Sequence, residues 1–191
     1  ISEIVEDASQ EKVTAIVCDF TIADDVVNLR KKIERSWGGI DIVVANVGSG
    51  TSVPDPIPDQ ENFDLVFREN FNAPVNVARE FLQLLKKSSG NLLFITSIAG
   101  MEAIGAPVDY STAKTAVMSF AKNLARKVAA EGVRVNCIAP GNIHFTGGSW
   151  DMKLKAAPET INRMLETQVP MKRFGTSSEI ASAALFLCSE Q

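Results

Sequence analysis

The chain has 191 residues, 46% of them hydrophobic and 22% charged, which fits one folded domain and argues against disordered, collagen-like and disulfide-scaffold classes. Lys plus Arg total 19 against 23 Asp plus Glu, a net charge of −4, without the basic excess that a nucleic-acid partner requires. No apolar run reaches the roughly 18 residues of a membrane span, and Ile1 opens neither a leader nor a Met start, so the first residue reads as a cut end.

In chain order, short apolar runs alternate with longer stretches of helical period, the pattern of βαβ units around a parallel sheet. Residues 13–18, 40–45, 91–95 and 133–138 are predicted strands, rich in Val, Ile or Leu without polar alternation, as strands covered on both faces require. Between the first two, Thr21 and Asp24 suggest a helix start, with Val26, Val27, Leu29 and Ile33 on its buried face and Gly38 and Gly39 to stop it. Pro54, Pro56 and Pro58 then mark an extended surface loop or a lid beside a ligand.

A helix over 62–87 follows, with Phe63, Val66, Phe67, Phe71, Val75, Ala78, Phe81, Leu82 and Leu85 spread over about half its circumference. A second helix, over 110–131, carries Ala113, Ala116, Val117, Phe120, Ala121, Leu124, Ala125, Val128 and Ala129 on an even wider arc. Both arcs exceed what one sheet face covers, which predicts subunit association. A last helix begins at a Thr176–Glu179 capping pattern. The three cysteines, Cys18, Cys137 and Cys188, sit in apolar runs and read as buried thiols of a reducing, cytoplasmic compartment. With one His in the chain, His144, a His/Cys metal cluster is not expected.

The only tyrosine, Tyr110, has Lys114 four residues later, so phenol and ammonium project from one helix face. A free phenol, with a pKa near 10, is about three units too weak a base at neutral pH, a deficit of roughly 4 kcal/mol. A lysine about 4 Å away at an effective dielectric near 20 supplies an attraction of the same order, less the desolvation of both groups. The pair alone is compatible with a tyrosine lodged between helix and sheet and a lysine at the rim. Ser97, at the end of the third predicted strand and 13 residues before Tyr110, changes the balance.

Ser97, Tyr110 and Lys114 within TSIAGMEAIGAPVDYSTAKTAV resemble the catalytic segment of the short-chain dehydrogenases/reductases. The resemblance runs along essentially the whole chain. CDF, with Asp19 and Phe20, resembles the strand motif that meets the adenine, and ANVG, with Asn46 and Gly48, resembles the family's Asn-Asn-Ala-Gly loop with Ala45 in place of the first Asn. RENFNAP places Asn70 at the family's catalytic Asn, and VRVNCIAPGNI aligns Pro140, Gly141 and Ile143 with the turn beneath the nicotinamide. The family's Gly-x-x-x-Gly-x-Gly turn does not occur among the 12 glycines, and Phe145 stands where the family commonly has Thr, with Thr146 one residue late.

The resemblance implies a doubly wound, Rossmann-like α/β fold. Residues 1–191 would form the interior of one NAD(P)-binding domain, incomplete at both ends. It implies an oxidoreductase interconverting a hydroxyl and a carbonyl with NAD or NADP. Tyr110 would be general acid and base, Ser97 would hold the substrate oxygen, Lys114 would lower the phenol's pKa and bond the nicotinamide ribose, and Asn70 would position a water. Ile98, Met101, Ile104 and residues 147–154 would shape the pocket for an alcohol or ketone, with sugars, steroids, acyl thioesters and small ketones all open. A homotetramer is implied as well. The alternative from another class is a non-catalytic nucleotide-binding or assembly subunit that keeps the fold.

Overall fold

A computed structural model describes residues 13–190. Helix α1 (Ala23–Trp37) leads to strand β1 (Ile42–Ala45), then to α2 (Gln60–Phe67), a π-helical turn at Arg68–Asn72, and α3 (Ala73–Ser88). Strand β2 (Asn91–Ile95), a 3-10 turn at Ile98–Gly100, α4 (Val108–Val128) and β3 (Arg134–Ile138) follow. The chain continues through β4 (Ile143–His144), α5 (Ser149–Ala156), α6 (Pro158–Gln168), β5 (Gly175–Thr176) and α7 (Ser177–Cys188).

Strands β1, β2 and β3 form a parallel sheet in that order, with Val43 opposite Leu92 and Leu92 opposite Val135. Parallel neighbours need crossover connections, and α2–α3 and α4 supply them. Leu92 and Phe94 point to the face where α3 and α4 pack, meeting Ala78, Phe81, Val117 and Ala121 in one core. Each such side chain contributes about 1.5–3 kcal/mol when fully buried. By strand alternation Asn91 and Leu93 face the other way. There α7 covers β2 and β3, and the Asn91 and Arg134 side chains bond backbone carbonyls at its C-terminal end. The α/β fold with a parallel sheet and helices on both faces is as expected.

Residues 13–18 do not form the expected strand. They have no ladder partner among the described residues, and Val17 is 99% exposed. An apolar run needs a neighbouring strand to become one, whatever its propensity. The coverage of both sheet faces is likewise incomplete at β1, where Ile42 and Val44 stay exposed on the side that α7 does not reach. Thr21 does not cap α1: the cap position is Ile22, and the Thr21 amide and hydroxyl both donate to the Asp19 carboxylate. The Thr176–Glu179 capping box is present as predicted. The three cysteines are free and only half-buried, and burial pushes the Cys137 thiol up to about 11.

The predicted helix over 62–87 is interrupted where it matters. At Arg68–Asn72 the chain takes one extra residue per turn, so that the Ala73 amide reaches back to the Arg68 carbonyl. Such bulges release carbonyls from the helical ladder, and the Asn70 amide group donates to the Val66 carbonyl at 3.1 Å. Part of the wide apolar arc is absorbed inside the chain. Phe63 and Phe67 stack face to face, and Phe67, Phe71, Phe120 and Phe94 continue edge to face from α2 to the sheet, with ring centroids 4.9 to 6.4 Å apart along the run.

Candidate active site

In a parallel sheet every strand ends on the same edge, and ligands bind in the crevice there. The ends of β1, β2 and β3 carry Asn46 and Gly48, Ser97, and Pro140 and Gly141 respectively. Backbone bonds stitch the last two ends together: the Thr96 amide donates to Ile138 O at 2.8 Å and the Ile98 amide to Pro140 O at 3.0 Å. Ser97 opens the 3-10 turn, its Oγ accepting from the Ala99 amide at 3.2 Å. Gly100 allows that turn to lie on α4, because a Cβ there would stand 2.8 Å from the Thr115 amide nitrogen and 2.9 Å from the Lys114 carbonyl carbon. The 3-10 turn thus lies against the same helix that carries Tyr110 and Lys114.

Four predicted residues converge with Gly48. Asn70 is buried, and its Oδ1 accepts from the Ser49 amide at 3.2 Å. Gly48 has φ +138°, and a Cβ on it would stand 2.5 Å from Asn70 Oδ1 and 3.0 Å from Lys114 Nζ. The Lys114 ammonium lies 5.5 Å from the centroid of the Tyr110 ring, within cation–π range. The Ser97 side chain lies beside the Tyr110 phenol and favours its ionised form. Asn70 and Lys114 therefore meet at Gly48, and Tyr110 joins them through Lys114, with Ser97 near its phenol.

Lys114 is 5% exposed and has no ion-pair partner among the described residues. Burial lowers it to about 8. The expected depression of the phenol by this ammonium is not what the structure has: burial raises the Tyr110 pKa and the neighbouring Ser97 side chain offsets part of the rise. Both groups lose water on the same helix face, so desolvation favours the neutral form of each.

The other predicted residues occupy the periphery of this cluster. Gly141 sits on Ile98, and Ile143 packs beneath Gly175 across the β4–β5 pair. Asp19 and Phe20 make separate contacts: Asp19 holds Thr21, which keeps its carboxyl below the usual range, while the Phe20 carbonyl accepts from Asn76 at 3.1 Å. His144 lies in β4 and faces the Asp151 carboxylate at 3.5 Å. Sequence reasoning missed Ser49, Ser52, Gly100 and Asp109. Asp109 directly precedes the lone tyrosine, but nothing in the sequence sets it apart from an ordinary first-turn acid.

A family model described as enoyl-(acyl carrier protein) reductase matches residues 1–191. The 3-oxoacyl-[acyl-carrier-protein] reductase FabG of Chlamydia muridarum is 32% identical over 188 residues, covering 98% of this chain and 73% of its own. L-fucose dehydrogenase of Bos taurus is 32% identical over 180 residues, covering 92% of this chain and 65% of its own. A solved structure described as a short-chain dehydrogenase/reductase of Burkholderia xenovorans superposes with a TM-score of 0.81 at 27% identity, over 93% of this chain and 68% of its own. ElxO with NADP bound shares the fold, with a TM-score of 0.87 at 23% identity over 100% of this chain and 77% of its own.

Proposed function

The chain belongs to the short-chain dehydrogenase/reductase family of NAD(P)-dependent oxidoreductases, and on that premise we propose that Tyr110 is the group that gives a proton to a carbonyl oxygen and takes it back in the reverse direction. The observation that carries this reading is the lone tyrosine, with Ser97 near its phenol and a buried lysine beside its ring, at the carboxyl edge of a parallel sheet. Ser97 orients the substrate oxygen toward the phenol. A lysine near pKa 8 exchanges protons close to neutral pH, so Lys114 replenishes the phenol's proton, and Asn70 positions a water between Lys114 and solvent.

The donor set suits the nicotinamide end of the cofactor. Lys114 Nζ lies beside Gly48, where a Cβ would crowd both Asn70 and Lys114, and 5.5 Å from the centroid of the Tyr110 ring. Tyr110 and Lys114 would hold the nicotinamide ribose, Pro140, Gly141 and Ile143 would line the nicotinamide, Asn46 and Gly48 would border the ribose side, and Asp19 and Phe20 would meet the adenine. Bound there, NAD or NADP supplies or accepts the hydride. Ile98, Met101, Ile104 and residues 147–154 bound the space for a small alcohol or ketone.

The substrate class is tested with a 3-oxoacyl thioester plus NADH or NADPH, and with L-fucose plus NAD or NADP, the two chemistries named by the relatives. Turnover of either, followed by nicotinamide absorbance in the full-length protein, supports the reading. Cofactor binding without turnover of these or of simple ketones favours the non-catalytic alternative. We further propose that residues 1–191 lie within one NAD(P)-binding domain, that the protein works in the cytoplasm, and that it assembles as a homotetramer through the outer faces of α3 and α4. No helix among the described residues is long and apolar enough to cross a membrane.

A further inference from the structure

Asp109 is fully buried, yet no lysine or arginine pairs with it among the described residues. Its carboxylate is held instead by two donors. The Ser52 hydroxyl lies 2.8 Å from Oδ1 and 2.7 Å from Oδ2, and the backbone amide of Tyr110 donates to Oδ1 at 2.7 Å. The amide is one of the unpaired donors of the first turn of α4, and the 21-residue helix favours an anion at that end. A carboxylate would do that work equally well in water. Burying it is costly, and among the described residues the one donor that reaches it from outside its own helix is Ser52.

Ser52 belongs to the loop 46–59, which leaves β1 through Asn46 and Gly48. Three residues before Ser52, the Ser49 amide donates to Asn70 Oδ1 at 3.2 Å, and the Thr51 amide donates to Ser49 Oγ at 3.1 Å. Within four residues the loop therefore grips the side chain of Asn70 and the carboxylate that holds the Tyr110 backbone. Gly50, between them, faces Ser149 at the start of α5, with 3.5 Å from an ideal Cβ to the Ser149 Oγ.

We propose that the Ser52–Asp109 pair is a latch coupling the loop 46–59 to the first turn of α4, so that Ser52 and Asp109 are positioning residues for Tyr110. The inference rests on the reading of Tyr110 as acid and base. With the latch seated, the loop that borders the cofactor and the helix that carries the phenol move as one body. Without it, Asp109 keeps only its own helix amide and draws water into the first turn.

The test combines steady-state kinetics with amide hydrogen exchange in the full-length protein, using Ser52→Ala, Asp109→Asn, Asp109→Ala and the double Ser52→Ala/Asp109→Ala variant. Ser52→Ala is expected to lower kcat about tenfold with KM and NAD(P)H affinity within about twofold, since a misplaced catalytic group slows chemistry more than it weakens binding. Exchange should quicken in both 46–59 and 107–113. Asp109→Asn, which retains an acceptor oxygen, should recover most of kcat, and the double variant should be no slower than Asp109→Ala, because residues acting as one unit are not additive. Faster exchange confined to 46–59 with wild-type kcat, or additive losses in the double variant, would overturn the latch. Tyr110→Phe separates the two readings: retained turnover there defeats the acid/base role, whereas the exchange pattern of Ser52→Ala judges the latch on its own.

Discussion

Lys114 shows what this fold tolerates for its chemistry. An ammonium normally near 10.5 is held at about 8 by burial, which amounts to about 3 kcal/mol of unfavourable desolvation when both folded and unfolded states are charged. The folded-state pKa lies below the unfolded one, so the unfolded chain binds more protons between the two values and stability from this group rises with pH across that window. Lys114→Met should therefore raise the unfolding free energy by about 1–3 kcal/mol at pH 7. The gain should be complete below pH 8 and vanish above pH 10.5. Urea unfolding at pH 7 and near the upper limit checks it, and a variant less stable than the parent at pH 7 would contradict it. The same substitution removes the proposed proton carrier and should lower turnover. At this scale helical spacing put Tyr110 and Lys114 on one face, and the family resemblance, not spacing, made them and Ser97 a candidate site. Asp109 was not legible, since nothing in a sequence distinguishes a buried carboxylate from an ordinary first-turn acid.

Among the elements, the π-helical turn matters most. It brings Asn70 to Gly48 and Lys114, and the regular apolar period of residues 62–87 gave no sign of it, because one extra residue in a turn leaves the pattern on either side intact. Gly48 depends on that turn. Its positive φ and the 2.5 Å approach of its absent Cβ to Asn70 Oδ1 mean that Gly48→Ala must displace Asn70, Lys114 or the loop. A displacement near 1 Å at a catalytic group costs about 100-fold in rate, and Gly48→Ala should lose turnover on that order while unfolding cooperatively. Kinetics beside a thermal melt checks it, and wild-type kcat would show that the loop absorbs the methyl group harmlessly. The run at 13–18 teaches the converse. Its composition reads as a strand, but a strand exists only with a neighbour to pair with, and the described residues provide none.

Across the whole molecule, βαβ alternation identified the parallel sheet and the helices that flank it. The aromatic ladder that fills part of the α2–α4 arc could not be anticipated, because which side of a wide arc turns inward depends on where the neighbouring helix lies. What the ladder leaves half-exposed, including Ala116 and Leu124 on α4, supports the proposed assembly. Ala116→Glu should weaken a two-fold contact by burying an unpaired charge. Light scattering at tens of micromolar that finds the unmodified full-length protein monomeric would refute that assignment. The account as a whole turns on the phenol. In the full-length protein with a verified substrate, Tyr110→Phe should reduce kcat by about 100-fold or more, the range expected on removing a general acid and base. A Tyr110→Phe enzyme that turns over at the wild-type rate would contradict it.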